Sequence, residues 1–351
     1  ATTGEYNVAI GQQALYSNTT ANHNVAVGYN ALYNNTTGTY NTAIGHAVLD
    51  ANTTASYNTG VGRDALGKNS TGSYNTAVGD IVMEENTTGS DNCAFGHAAM
   101  HKNTTGVQNA AFGYGSLNAN TTANKNTAFG YFALLANTTG HSNTAIGHDC
   151  MKSHTTNIEN TGVGQNCLDS LTTGGYNTAI GRDSGGNITT GNYNVMLGTY
   201  AKPDAADDDG AIAIGYSATG KGDNTGFISP NGGSMYQGNN SSSWSTTSDR
   251  RIKKNITDNN TGLDKINQIR VRNFEYRSKE EITDFDNPDS AVVNKEGTQL
   301  GVIAQEIIEV LPDVVKTESN GVMTVNPDNL TWYLVNAIKE LSAKVTALEA
   351  A

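Results

Sequence analysis

Apolar and polar positions over the first two-thirds of the chain follow a period of 17 residues. The marker is a glycine that never slips: Gly11, Gly28, Gly45, Gly62, Gly79, Gly96, Gly113, Gly130, Gly147, Gly164, Gly181, Gly198 and Gly215. Counting from that glycine, position −4 is Asn from Asn7 to Asn194, and position −2 is Ala (Ala9, Ala26, Ala43) except at Gly60, Gly162 and Met196. Position −1 is Ile, Val, Phe or Leu (Ile10, Val27, Phe95, Leu197), and position +4 from Leu15 to Leu168 is Leu or Met (Leu15, Leu32, Met83, Met151, Leu168). Positions +8 and +9 carry a threonine pair, as in Thr19-Thr20, Thr36-Thr37 and Thr138-Thr139. The alternation around Asn-x-Ala-Ile-Gly predicts a short strand. The Asn-Thr-Thr-Gly segment predicts a turn, because Asn and Gly accept positive φ. A fixed period means stacked equivalent units, and 17 residues are too few for two helices. The expected fold is mainly β: a parallel β-roll or β-solenoid of thirteen coils over residues 1–220, roughly 60 Å long at about 4.8 Å per coil.

Each such coil has few large apolar residues, worth roughly 1.5–3 kcal/mol apiece when fully buried. Ordering the backbone costs on the order of 1–2 kcal/mol per residue, so a second buried surface is expected. The residue at −1 is expected to face the coil interior. The Ala and Gly positions are then expected to face outward, where small residues let three chains approach one axis. The unit resembles the head repeats of trimeric autotransporter adhesins, whose Asn-x-Val-Ala-Ile-Gly motif matches Asn7-Val8-Ala9-Ile10-Gly11. Repeats of that family are usually shorter than this one, so the extra residues are expected to enlarge a turn.

The period decays after Gly198, with one degenerate coil around Gly215. Residues 221–247 show none and are expected to be a neck, anchored by Phe227, Met235, Tyr236 and Trp244. From residue 248 the composition becomes that of an ordinary globular domain. Strands are predicted near Val271–Tyr276, Gln299–Ile303 and Val322–Val325. Helices are predicted over Gly262–Ile269 and Ala304–Val310, and from Asn329 to the end. Leu334, Ile338, Leu341, Val345 and Leu348 are spaced as a coiled-coil seam.

Ser248, Asp249, Arg251, Ile252, Lys253, Asn255 and Ile256 resemble the start of the intramolecular chaperone on bacteriophage tail spikes and fibres, the endosialidase type. Phe274-Glu275-Tyr276, Gly301-Val302-Ile303-Ala304-Gln305-Glu306 and Leu311-Pro312-Asp313-Val314-Val315 also resemble that family, in order. The resemblance implies a small α+β domain over 248–351 with a C-terminal coiled-coil helix. It implies that this domain trimerises, assists folding of the fibre before it, and breaks the bond before the serine, Thr247–Ser248. Residues 248–351 hold no histidine, so a Ser-His pair within the domain is excluded. Ser248 is the candidate nucleophile and Lys253 the candidate base, since a buried lysine can be neutral. Asp249 and Arg251 are candidates for holding the geometry.

Composition adds exclusions. Net charge is −12 over 351 residues, with 8 basic and 16 acidic residues before Ser248. No basic patch argues for nucleic acid, and no apolar run approaches the roughly 18–20 residues of a membrane span. The chain begins in mid-pattern at Ala1, as a fragment or mature piece would, and a signal peptide would be absent for that reason alone. Cys150 and Cys167 share a phase and read as buried thiols rather than a disulfide. The sequons at Asn18, Asn35, Asn52, Asn86, Asn103, Asn120 and Asn137 follow from the period and read as turn chemistry. Tyr40, Tyr57 and Tyr74 share a phase, as do Tyr176 and Tyr193. They read as stacked packing before a sugar-binding face. His46, His97 and His148 read as outward positions, and Asp204, Asp207, Asp208 and Asp209 as an acidic turn. No metal or cofactor is expected.

The functional expectation is a homotrimeric phage tail fibre, part of an extracellular virion. It would bind a host-surface glycan or protein receptor and join other tail or fibre proteins at its N-terminus. A bacterial surface adhesin is the alternative, and a fibre-borne glycan depolymerase the second. The only enzyme activity expected is self-cleavage in cis, with no external substrate.

Overall fold

A computed structural model of the protein describes residues 3–229, 235–237, 244–245, 250–283, 293, 295–317 and 321–351. The chain divides into two compact units, Ala1–Ser248 and Asp249–Ala351.

The first unit is a parallel β-solenoid. One three-residue strand per period, from β1 (Val8–Ile10) to β13 (Ile212–Ile214), pairs with the next in sequence order. The register steps by one repeat, as in Val8↔Val25 and Ala94↔Ala111. A shorter coil leads to β14 (Gly226–Ile228), which adds in parallel to β13, so the sheet continues into the expected neck. Strands β15 (Met235–Gln237) and β16 (Trp244–Ser245) follow antiparallel.

The marker glycines have φ between 123° and 144°. A Cβ on any of them from Gly11 to Gly198 would also lie 2.0–2.7 Å from the carbonyl oxygen of the next marker glycine. Both the conformation and the close approach therefore require glycine.

The coil interior differs from the expectation. The Ala at −2 points inward, and Ala26, Ala43, Ala77, Ala94, Ala111, Ala128 and Ala145 are fully buried. They share a core with the Leu or Met at +4 and with the +3 residues, such as Ala31, Val48, Val82, Cys150 and Cys167. The residue at −1 points outward. Alternation along a strand decides which residues share a face, not which face is inside. Volume decides that here. The +4 side chain fills the coil from a left-handed backbone, φ 53° at Leu32 and 49° at Met100. That conformation costs roughly 1–2 kcal/mol, offset by burying the side chain. The −2 position then has room for a methyl or less. At Gly60 a Cβ would come within 2.4 Å of Val48 Cγ1, and at Gly162 within 2.9 Å of Cys150 Sγ. Where +4 is Gly185, the next −2 residue is Met196, which is fully buried and restores the volume.

Two columns of buried asparagine run through the same interior. At −4, the backbone N–H of Asn41 donates to Asn24 Oδ1 (2.9 Å), and Asn41 Nδ2 donates to the Ala55 carbonyl (2.9 Å). At +7, Asn52 Nδ2 donates to Asn35 Oδ1 (2.8 Å) and to the same Ala55 carbonyl (3.1 Å). Each asparagine thus satisfies a buried carbonyl and ties one coil to the next, at a net worth of about 0.5–1.5 kcal/mol per bond. The first threonine of each pair does likewise outside, as Thr87 Oγ1 donates to the Thr104 carbonyl (3.0 Å). The sequon asparagines from Asn35 to Asn137 are these buried rungs. Their Nδ2 atoms, the glycosylation acceptors, are committed to hydrogen bonds, so turn and ladder chemistry explains them.

The +7 column changes character at His154, which is fully buried with Nδ1 3.2 Å from Asn137 Oδ1. Burial pushes the His154 pKa down to about 4. An unfolded histidine protonates near pH 6.5. The folded pKa is the lower one, so stability is full above about pH 6.5 and is lost as pH falls toward 4. Between pH 7.5 and 5 the loss should be roughly 2 kcal/mol. His154→Asn restores the rung and should flatten this dependence. Hydrogen exchange of the backbone amides around Thr138 and Thr155 at the two pH values measures it. An equal loss of protection in His154→Asn would assign the pH sensitivity elsewhere.

The second unit is α+β. Helix α1 (Leu263–Ile266) precedes the antiparallel pair β17 (Arg272–Phe274) and β18 (Gln299–Gly301). Helix α2 (Ala304–Val310) leads to the pair β19 (Val315–Thr317) and β20 (Met323–Val325), and α3 (Pro327–Glu349) closes the chain. Asn326 caps α3, its Oδ1 accepting from the Asp328 N–H (2.9 Å), with Pro327 in the first turn. The core is small: Ile307, Leu311 and Val314 are buried, with Ile269, Val302, Val325, Leu330 and Tyr333 packed around them. No helix among the described residues is long and apolar enough to cross a membrane.

Candidate functional site

The outward face of the solenoid sheet carries positions −3 and −1, with +1 beyond them. Along −1 runs an apolar stripe: Ile10, Val27, Ile44, Val61, Val78, Phe95, Phe112, Phe129, Ile146, Val163, Ile180, Leu197 and Ile214. Ile10 is 60% exposed, Phe129 55% and Ile180 46%, although each belongs to a strand of the sheet. Phe95, Phe112 and Phe129 stack ring on ring at 5.0 and 5.3 Å. The −3 residues beside them are mostly Thr (Thr42, Thr59, Thr76, Thr127, Thr144, Thr161, Thr178). A contiguous apolar strip of this length is unusual on a single chain in water and marks an interaction surface.

Two stretches of another column were candidates for sugar contact. Tyr6, His23, Tyr40, Tyr57 and Tyr74 form one stack with centroids 4.8–5.1 Å apart and interplanar angles of 3–11°. Tyr176 and Tyr193 stack the same way. Each inner ring has both faces covered by its neighbours, so only edges are open. A sugar ring packs against an aromatic face, so the geometry favours packing. His46, His97 and His148 are exposed, and each sits beside a carboxylate: Asp64 (3.7 Å), Asp80 (3.5 Å) and Asp149 (3.1 Å) respectively. In the acidic turn, Asp208 Oδ2 accepts from the Ala205 N–H (2.9 Å) and Asp209 Oδ1 from the Asn192 N–H (2.6 Å). Asp208 thus caps its own turn, and Asp209 ties that turn to the coil before it.

In the second unit, Arg272 clamps Glu306 through Nη2–Oε1 (2.7 Å) and Nε–Oε2 (3.2 Å), joining β17 to α2. Each partner favours the other's charged form, so the Glu306 pKa is lowered and that of Arg272 raised. Tyr333 donates to Asp313 Oδ2 (2.7 Å), and Asn336 Nδ2 donates to the carbonyls of Asn259 (2.7 Å) and Thr261 (3.1 Å). These contacts hold α3 to the unit. They leave its seam outward: Ile338 is 66% exposed and Leu348 78%, with Leu334, Leu341 and Val345 also exposed. Trp332 is exposed as well, on the side of the helix away from the seam.

At the junction, the Thr247–Ser248 bond and Asp249 lie outside the described residues. Arg251 belongs to a short 3-10 helix, Arg250–Ile252, and the Lys253 N–H donates to the Arg250 carbonyl (3.2 Å). Arg251 and Lys253 are both exposed among the described residues.

Residues 248–316 match the family model for the chaperone of endosialidase. This segment is a chaperone-of-endosialidase domain.

The match opens on Ser248, the residue after the expected cut, and ends within β19. The chaperone domain thus holds the Arg272–Glu306 clamp and all three buried core residues, while α3 lies beyond the matched segment. Neither the comparison with curated proteins nor that with solved structures found a match. Sequence reasoning singled out Ser248, Lys253, Asp249 and Arg251. It missed Trp332 and the Tyr333–Asp313 bond, whose only trace is their place in the first turns of a capped helix. It also missed the cluster of Glu84, Glu85 and His101. There the available signal was phase: Glu84 and His101 are one period apart.

Proposed function

We propose that three copies of this chain form an extracellular attachment fibre of the phage-tail type, whose solenoids pack through their outward apolar stripes. The chaperone domain brings the copies into register and then releases itself by cutting Thr247–Ser248. The fibre contacts a host-surface glycan or protein and is joined to other fibre or tail proteins through its N-terminal side. The observation that carries this reading is the apolar stripe with its 17-residue period. A partner that covers such a stripe must repeat at the same roughly 4.8 Å step for thirteen coils, and another copy of this chain does. The exposed seam of α3 and the thin core of the chaperone domain support association in the same sense. The match to the chaperone family supports three copies rather than two.

The chaperone's role is tested by a gene ending at Thr247. In so regular an array a slip of one whole coil between copies changes little energy, because every coil presents nearly the same face. The truncated product is therefore expected as monomer or aggregate, while the full chain gives trimers. Light scattering after size exclusion reads the difference. Well-formed trimers from the truncated gene would count against the proposal.

A further inference from the structure

We propose that Glu84, Glu85 and His101 form a zinc site that staples two adjacent coils. Glu84 and His101 both lie five residues past a marker glycine, Gly79 and Gly96, so the solenoid stacks them on successive rungs. His101 Nε2 is 3.2 Å from Glu84 Oε2. That is close to the separation of two ligand atoms that each reach one zinc ion at about 2.0–2.1 Å. Glu85, next along the turn, brings a third ligand atom, and the three lie within 4.8 Å of one another. No other group of three potential ligands among the described residues is this close. Their side chains are only partly covered, 25% and 27% exposed at His101 and Glu84. They can turn the short remaining distance onto an ion, and water can fill a fourth position.

The donor set selects the metal. One imidazole and two carboxylates suit zinc, whereas calcium and magnesium require six or more oxygen ligands. The competing charge is Lys68, whose ammonium contacts Glu85 Oε1 at 2.5 Å. Lys68 is more than half exposed, and it occupies one carboxylate oxygen of two. Zinc therefore competes with an exposed ion pair rather than a buried one. Elsewhere the +5 column has no histidine, and its other acids, Asp50 and Asp169, have only Tyr33, Gly67, Lys152 and Gly186 one period away, so the Glu–His pair occurs once in the array. Bound zinc would link segments one period apart and stabilise the coils around Asn86 and Asn103. This site does not depend on the attachment reading.

The test uses the full chain without a polyhistidine tag, freed of metal by EDTA and titrated with zinc chloride by calorimetry. The expected result is one zinc per chain at micromolar affinity, with no response to magnesium. His101→Ala and Glu84→Gln should each weaken binding by about tenfold or more, and Lys68→Ala should strengthen it. Circular dichroism of each variant confirms an intact solenoid. Cobalt(II) gives a second reading, a visible absorption band lost in His101→Ala. Zinc bound equally by wild type and His101→Ala would place the metal at another histidine and overturn the proposal. So would no binding up to roughly 1 mM free zinc.

Discussion

Ser248→Ala is expected to remain a single uncut chain on a denaturing gel, while the wild type separates into two fragments, the smaller beginning at Ser248. The hydroxyl of a serine can reach the carbonyl that precedes it. Attack by Ser248 on Thr247 would move the acyl group from nitrogen to oxygen, and water would then cleave the ester. Removing the nucleophile should slow the reaction on the order of a thousandfold or more. A lysine acts as a base only when neutral, a state that burial favours. Lys253 is exposed among the described residues; on the trimeric reading the partner chains supply that burial, and the cut should follow assembly. Lys253→Ala and Lys253→Arg should both assemble uncut, since arginine stays charged. The wild-type rate should rise with pH. A fragment beginning elsewhere, or cutting that persists in Ser248→Ala, would sink this mechanism.

The second large effect is expected at the stripe. In the double variant Phe112→Asp, Phe129→Asp, a trimer would bring six carboxylates into its interface and lose six phenyl rings, each worth roughly 1.5–3 kcal/mol of burial. It should stay monomeric while keeping the β circular dichroism of the solenoid, because both side chains already face solvent in the single chain. Ala128→Leu, one residue away, should behave in the opposite way. Its side chain enters a filled interior, where overpacking costs about 1–3 kcal/mol, so the coil itself suffers. Trimers from the double variant would show that the copies meet through another face. If the cut depends on assembly, the same variant should also stay uncut.

These two variants mark the boundary of what the sequence discloses. The period of 17, the strand at Asn-x-Ala-Ile-Gly, the parallel stack and the helix Ala304–Val310 all follow from spacing and residue type. The inward or outward sense of Ala128 and Phe129 does not. Strict alternation is symmetric between the faces, and burial is normally assigned to the larger residue. Here the larger residue is outside, because Leu134 and its equivalents reach the interior from a left-handed backbone that hydrophobic pattern does not report. The asparagines misled less. Their sequon pattern was rightly discounted, but that Asn35 and Asn52 are interior rungs required seeing both columns converge on one carbonyl. In the chaperone domain the motif at Ser248 was legible because it is local. The exposure of Lys253 was not, because it depends on what surrounds the chain.

The ladders carry a consequence for how such a chain can change its length. The asparagine rungs inside and the threonine rungs outside bond to the rung one period away: Asn24 to Asn41, Asn35 to Asn52, Thr36 to Thr53. No interior bond within the array measures its total extent. A duplication or deletion of one whole unit therefore rejoins every column without a mismatch. An indel of any other size leaves both asparagine columns and the glycine spine out of phase at once. Genetic variation in this array is thereby quantised, with recombination between like units as its natural route. Fibre length can drift in single-coil steps while the surface and the chaperone domain stay unchanged.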